Sequence, residues 1–347
     1  MNVPPVVLTA FVEKLFIAAG LSDSDARLCS ETHVLQESRG IVTHGLRHVP
    51  LNLEGLTKGQ MNPRPNRVAL RDEAATIVID GDRGVGIPGC MDAMRRAIAK
   101  AKQFGIGIGI VIHSNHFLSA APYCLRAAEE GMIGICFSNT WASMGYPGAT
   151  GRVIANSPTG FGAPSDAGFP VIFDSSLTTS GGKLSQWIRE GKAIPPALLG
   201  INKEGNPSAD PTEVLHGGTP WPIGGHKGAG LAILVEIVTG LLGGSGFLHG
   251  VQAPNLRTSK EQYESQCCIV IDIERFMPLE EFRKRMAAFV GDLKGNPLAD
   301  GYTEILLPGE RAHRTQMQSL QNGVTLEREV EADFRAWAQR LDVVFPF

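Results

Sequence analysis

No stretch of this sequence is long and apolar enough to suggest a membrane span. The greasiest run, Leu231 to Leu242, is interrupted by Glu236 and falls well short of the roughly 20 residues needed. Charge is scarce too, at 19% of residues against roughly 25% in an average soluble chain. With 32 Lys and Arg against 35 Asp and Glu, the net charge of −3 leaves no basic surplus for a nucleic acid. The six cysteines (Cys29, Cys90, Cys124, Cys136, Cys267 and Cys268) form no C-x-x-C pair, and the two adjacent ones cannot easily bridge each other. A chain of 347 residues needs no disulfide staples, so the thiols point to a reduced, cytoplasmic protein. The opening Met1-Asn-Val-Pro-Pro5 has neither the basic end nor the apolar centre of a secretory leader. What is plentiful is apolar material, 43% of the chain and ample for a large core, and glycine. The 41 glycines, about 12% against a usual 7%, are dispersed without a period, which suggests tight turns and close backbone approaches.

Both chain ends read as helix. Leu8 to Ala19 carries apolar residues at helical spacing and stops at Gly20; Ser22 then suits the cap of a helix running to about Arg39. Thr43 is placed to cap a third helix beginning at His44, and the tail from Leu279 is again amphipathic. Between the ends, β-branched runs at 76–80, 106–112, 133–137, 171–173 and 268–273 alternate with helical stretches at 91–104, 120–130 and 228–242. The plan is an α/β body with helical ends that can form one lobe.

Gly84-Val-Gly86-Ile-Pro-Gly89 is a literal G-x-G-x-x-G between strand and helix, the local setting of a dinucleotide fingerprint. The acidic ribose ligand expected about twenty residues on is missing, since the second strand reads Ile106-Gly-Ile-Gly-Ile-Val-Ile-His113. Pro88 also lacks the N–H that should face a pyrophosphate. The motif is read as packing.

Several other segments carry candidate chemistry. His44, at an expected helix start that disfavours imidazolium, is either a proton-exchanging group or a surface cap. His116, in Ser114-Asn-His116 after an apolar strand, is either an acid/base or a turn ligand. His113 and His116 lack the spacing and accompanying carboxylate of a metal pair, so no metal is expected. Gly224-Gly-His-Lys227 before a helix is a phosphate seat or a flexible turn. Asp174 ends a strand and accepts ribose hydroxyls or caps the next helix, the cap being favoured. Pro308-Gly-Glu310 and Arg311 make a charged turn, for which a surface ion pair is the plain reading.

Taken together and in this order, Gly40-Ile-Val-Thr-His-Gly45, Ser114-Asn-His116, Gly225-His-Lys-Gly228 and Pro308-Gly-Glu310 resemble the malate/L-lactate dehydrogenase family that is unrelated to the Rossmann enzymes. That family includes ureidoglycolate and sulfolactate dehydrogenases, diketogulonate reductase and the pyrroline/piperidine-2-carboxylate reductases. The resemblance implies an α/β (α+β) fold: a non-Rossmann NAD(P)-binding domain on a largely antiparallel sheet, here 71–277. A helical lobe from 1–70 and 278–347 would complete it, in a homodimer. It implies acid/base roles for His44 and His116, with Thr43 beside the first. It places Thr140, Asp174, Ser175, Ser176, His226, Lys227, Pro308, Gly309 and Glu310 at an NAD or NADP cofactor. Four and eight residues after the first His, where the family commonly has Arg and Tyr, this chain has His48 and Asn52. A carboxylate substrate would then fall to His48, Asn52 or the neighbouring Arg47, since imidazole cannot copy the bidentate fork of Arg. The implied activity is hydride exchange between nicotinamide and C2 of a small 2-oxo or 2-hydroxy acid. Reduction of a cyclic ketimine carboxylate is the alternative, and a non-catalytic cofactor-binding relative the second. For a 2′-phosphate, Lys183, Arg189 and Lys192 are the nearby cations.

Overall fold

Alternating glycines shape the centre of the fold. Side chains of the strand Ile106–Ser114 point to opposite faces in turn, so Gly107 and Gly109 share one face and Ile108, Ile110 and Ile112 the other. A Cβ on Gly107 would stand 1.9 Å from the Ala97 carbonyl oxygen, and one on Gly109 2.4 Å from that of Ala93. The bare face therefore admits the helix Gly86–Phe104 directly against the sheet. On the opposite face Ile110 and Ile112 pack with Ala232 and Val235 of the helix His226–Glu236.

The computed structural model describes residues 1–347, the burial of Gly181 excepted. Its seven-stranded sheet runs in the order Val68–Asp72, Thr76–Asp80, Ile106–Ser114, Glu264–Asp272, Met132–Ser138, Thr159–Ala163 and Val171–Ser175. Thr76–Asp80 and Ile106–Ser114 pair in parallel across the helical crossover, and the other neighbours are antiparallel. This is the expected mixed α/β architecture with a largely antiparallel sheet. The strand Thr159–Ala163 is not legible in the sequence because Gly160 and Gly162 stand where a strand usually carries β-branched residues. A Cβ there would meet Ala120 at 2.5 Å and the Cys124 carbonyl at 2.7 Å.

The amino-terminal helices Pro5–Ala18 and Asp23–Ser38 form as expected, and the Ser22 hydroxyl accepts the Asp25 N–H at 3.2 Å. The third departs from expectation. No helix begins at His44; two short 3-10 turns, Val42–His44 and Leu46–His48, precede a helix at Val49–Thr57. Gly45, with φ −103° and ψ −132°, breaks the spiral between them. One apolar core joins Leu8, Phe11, Leu15 and Phe16 to Val330 and Phe334 of the last helix, Arg328–Arg340. The helix Leu279–Lys294 places Val290 against Phe169 and Val171 of the sheet body.

All six cysteines are unbridged and buried. The Sγ atoms of Cys90, Cys136 and Cys268 lie 3.7 to 3.8 Å apart between the Gly86–Phe104 helix and the sheet. Burial pushes the Cys90 and Cys136 thiols well above their ordinary value, and they pack as neutral apolar groups among Ile79, Met94 and Ala97. Among the described residues no helix is long and apolar enough to cross a membrane.

Candidate active site

The Asp23–Ser38 helix props the turns that carry Thr43, His44 and His48. His33 on its inner face is fully buried and donates from Nδ1 to the Gly45 carbonyl at 2.9 Å. Its Nε2 accepts from Asn52 Nδ2 at 3.1 Å. One turn later, the Glu37 carboxylate accepts the Leu46 N–H at 2.8 Å. Thr43 Oγ1 lies 2.9 Å from His44 Nδ1. From the other side, the loop after Ile106–Ser114 brings in His116, whose Nδ1 accepts the Leu118 N–H at 3.2 Å. An accepting Nδ1 leaves the His116 proton on Nε2. The three imidazoles lie nearly parallel: His48 and His116 are 4.4 Å apart at 3°, His44 and His116 5.8 Å at 18°, and His44 and His48 6.1 Å at 20°.

These rings are held neutral. Burial, reinforced by His33 and His44, drives His48 down to about 3. Burial and then His48 push His116 well below its ordinary value, and burial lowers His44 against the opposing charge of Asp174. The expected neutrality of His44 thus holds for a different reason: desolvation replaces the helix start that is not there. Stability should follow from the same shifts. His33, lowered to about 4 by burial, and His48 take up protons in the unfolded chain near 6.5 but resist them when folded, so each subtracts stability as the pH falls. Glu37 and Glu264, both raised to about 7 by burial, have the opposite sign, and their gain is complete once the pH reaches about 4.5. With His44 and His116 also lowered, four histidines oppose two carboxylates. We therefore expect the urea midpoint to start falling below about pH 6.5, partly offset by Glu37 and Glu264, and to fall more steeply once that offset ends near about 4.5. H48Q should flatten that fall; a variant midpoint that keeps the wild-type pH slope contradicts the assignment.

His44 and His116 open onto a cleft of 960 Å³ between the helical ends and the sheet. Thr43, Thr140, Asp174, Ser175, Ser176, Pro308 and Gly309 also line it. Thr140 Oγ1 bonds Asn156 Oδ1 at 3.0 Å, and Ser175 Oγ donates to the Ser176 carbonyl at 2.8 Å. The Asp174 carboxylate accepts the N–H groups of Ala120 and Ala121 at 3.3 and 3.2 Å. It is a helix cap, as favoured, but for Ala121–Glu129, which precedes it in sequence rather than coming after it.

Other expected residues stand elsewhere. Arg47 is exposed and ion-paired with Glu327, away from the cleft, so it is not poised for a substrate carboxylate. Asn52 is buried behind the turns as a partner of His33, and His48 stacks on His116 without lining the cleft. Glu310 is buried beneath its turn, bonded to Lys294 at 2.7 Å, to Arg314 and to the Leu307 N–H, so its charge is spent on closing the turn. His226 and Lys227 begin their helix exposed and outside this cleft. Of the three candidate phosphate cations, Lys183 lines the cleft, Lys192 pairs with Glu190 at 2.7 Å, and Arg189 stands apart. Arg39 and Arg152 line it without having been singled out. Arg39 ends a helix, where a cation is ordinary, so nothing in its spacing marked it.

The chain's relatives agree with this architecture. The family model for malate/L-lactate dehydrogenase matches residues 3–335. The malate dehydrogenase of Pyrococcus horikoshii is 32% identical over 353 aligned positions, covering 99% of this chain and 96% of its own. The L-sulfolactate dehydrogenase of Methanocaldococcus jannaschii is 32% identical over 305, covering 86% of each. Among solved structures, the malate dehydrogenase of Entamoeba histolytica superposes with a TM-score of 0.93 at 28% identity, covering 100% of this chain and 99% of its own. The fold is that of an oxidoreductase. The chain belongs to the malate/L-lactate dehydrogenase family.

Proposed function

We propose that this cleft exchanges a hydride between NAD or NADP and C2 of a small 2-oxo or 2-hydroxy acid. The observation that carries the reading is the pair of neutral imidazoles, His44 and His116, with rings 5.8 Å apart on one cleft. The residues present fit a dinucleotide. The cavity is of ligand size. Arg39, Arg152, Lys183 and Arg311 face it against one carboxylate, Asp174, that already accepts two N–H groups. That excess of cations suits a diphosphate and a carboxylate together. Thr140, Ser175, Ser176 and the Pro308–Gly309 turn would hold the cofactor, which when bound supplies or accepts the hydride.

The protein's task is then to orient the substrate and move one proton. In oxidation the neutral His44 ring takes the hydroxyl proton, with Thr43 Oγ1 against its Nδ1 fixing it. In reduction the ring first takes a proton from solvent and, as imidazolium, gives it to the developing alkoxide. The His116 Nε2–H is the second donor. Arg39, on the same segment as Thr43 and His44, takes the carboxylate that Arg47 and His48 do not reach. The test is a panel of pyruvate, oxaloacetate, ureidoglycolate and pyrroline-2-carboxylate with each reduced cofactor, followed by nicotinamide absorbance. Turnover of an oxo acid is expected; cofactor binding with no turnover on any of them overturns the reading. Cyclic ketimine reduction is the second reading, supported by a relative named as a Delta(1)-pyrroline-2-carboxylate/Delta(1)-piperideine-2-carboxylate reductase, and the imine arm of the panel decides it.

The division into an NAD(P)-binding domain at 71–277 and a helical lobe from both ends is supported by the core that joins Leu15 and Phe16 to Phe334, while the helix Leu279–Lys294 packs on the sheet body instead. A cytoplasmic location is supported by the six unbridged thiols. A homodimer is supported by Leu231, Leu234, Ile237 and Leu241, which share one helical face and are each 44 to 50% exposed. L234E should halve the mass seen by sedimentation; an unchanged mass removes this face from the interface.

A further inference from the structure

We propose that the Gly84–Gly89 motif, Asn115 and Arg257 together form the mount that sets the position of the His116 imidazole. Asn115, adjoining His116, is buried, and every polar atom of its side chain is used. Its Nδ2 donates to the carbonyls of Arg83 at 2.9 Å and Gly84 at 2.7 Å, while Oδ1 accepts from Arg257 Nη1 at 2.5 Å. Its backbone carbonyl accepts from Gln266 Nε2 at 3.2 Å. The glycine motif meets this peptide from below. A Cβ on Gly86 would stand 1.9 Å from the Asn115 carbonyl oxygen and 2.6 Å from the His116 carbonyl carbon. Only glycine lets the 115–116 peptide rest on the start of the Gly86–Phe104 helix. What reads as a dinucleotide fingerprint is thus a seat for the histidine loop.

Arg257 reaches this seat from a distant segment and is itself locked. Its guanidinium lies 3.0 Å from Glu264, both side chains being almost fully buried, and donates from Nε to the Gln252 carbonyl at 2.8 Å. It also lies over the Tyr263 ring at 4.5 Å. Such fixing has a purpose that the backbone makes visible. His113 and Leu118, on either side of His116, hold φ of +51° and +73°, a region non-glycine residues enter only when their surroundings hold them there. The loop is sprung, and the bonds through Asn115 keep it in place. Asn115 and Arg257 are therefore positioning residues that act through His116.

The inference rests on the proposed acid/base role of His116, so its test reads position and turnover separately. R257K keeps the charge facing Glu264, but an ammonium cannot reproduce the planar fork that serves Asn115, Gln252 and Glu264 at once. G86A forces the 115–116 peptide upward. In protein labelled with ¹⁵N-histidine, both variants should move the His116 ring resonances and leave those of His44 in place. kcat should fall by about 10–100-fold, with KM for cofactor within about two-fold, since a displacement near 1 Å can cost about 10²-fold. If G86A does not fold, R257K decides alone. Folded variants whose His116 resonances and kcat both match wild type overturn the mount, as does a fall in kcat with the His116 ring unmoved. A shifted ring with unchanged kcat leaves the mount standing and removes the acid/base role instead.

Discussion

H116A and H44A should each lower kcat by about 10²–10⁴-fold, the usual worth of a positioned general acid or base, while cofactor still binds. The reason is that neither ring has a substitute. The other ionisable groups lining the cleft are cations that cannot exchange a proton near neutrality, apart from Asp174, whose oxygens accept two backbone N–H groups. The two losses should not add. If the rings serve one proton path, the double variant falls little below the worse single one; independent roles would multiply. Stopped-flow measurement of the hydride step separates chemistry from product release. Wild-type kcat in both single variants would remove the proton-transfer assignment.

How far the site is legible in the sequence depends on whether its cause is local. Ser22 caps its helix through a residue three positions away, and the alternation of Gly and Ile from 106 to 112 states its own period, so both are readable. The third helix fails as a reading because Gly45 is placed by tertiary demand: Glu37 occupies the space a side chain would need. Arg47 looks available for a carboxylate until Glu327, on the far end of the chain, takes its charge. Asp174 looks like the cap of the next helix along the chain, yet the sheet order sets it over Ala121–Glu129. Nothing in the spacing of His44, His48 and His116 announces that their rings stack, since two come from turns of the helical lobe and the third from a strand end. The family resemblance assigns roles to His44 and His116 but not the stacking of the three rings. The packing that produces it is long-range, as is the pairing of Asn115 with Arg257.

G45A should damage both stability and activity through one methyl. A Cβ there would lie 2.1 Å from Glu37 Oε2 and 3.1 Å from the Glu37 Cα and backbone nitrogen. Two relaxations are open. Glu37 can swing aside, breaking its bond to the Leu46 N–H and leaving a buried carboxyl unpaired; or the turn can lift, breaking the bond from His33 to the Gly45 carbonyl. Either leaves buried polar groups unmet, at about 1–3 kcal/mol each, so we expect a loss of roughly 2–5 kcal/mol by urea unfolding. Either also moves Thr43 and His44, close by in the same turn, which should cost about 10²-fold or more in kcat. Adding E37A to G45A distinguishes the routes. It removes the atom at 2.1 Å and with it the larger part of the clash, so the double variant should regain activity relative to G45A despite losing a hydrogen bond. A double variant no more active than G45A would place the strain in the Glu37 backbone contacts, and a G45A enzyme with wild-type stability and kcat would show that the turn is not what holds His44.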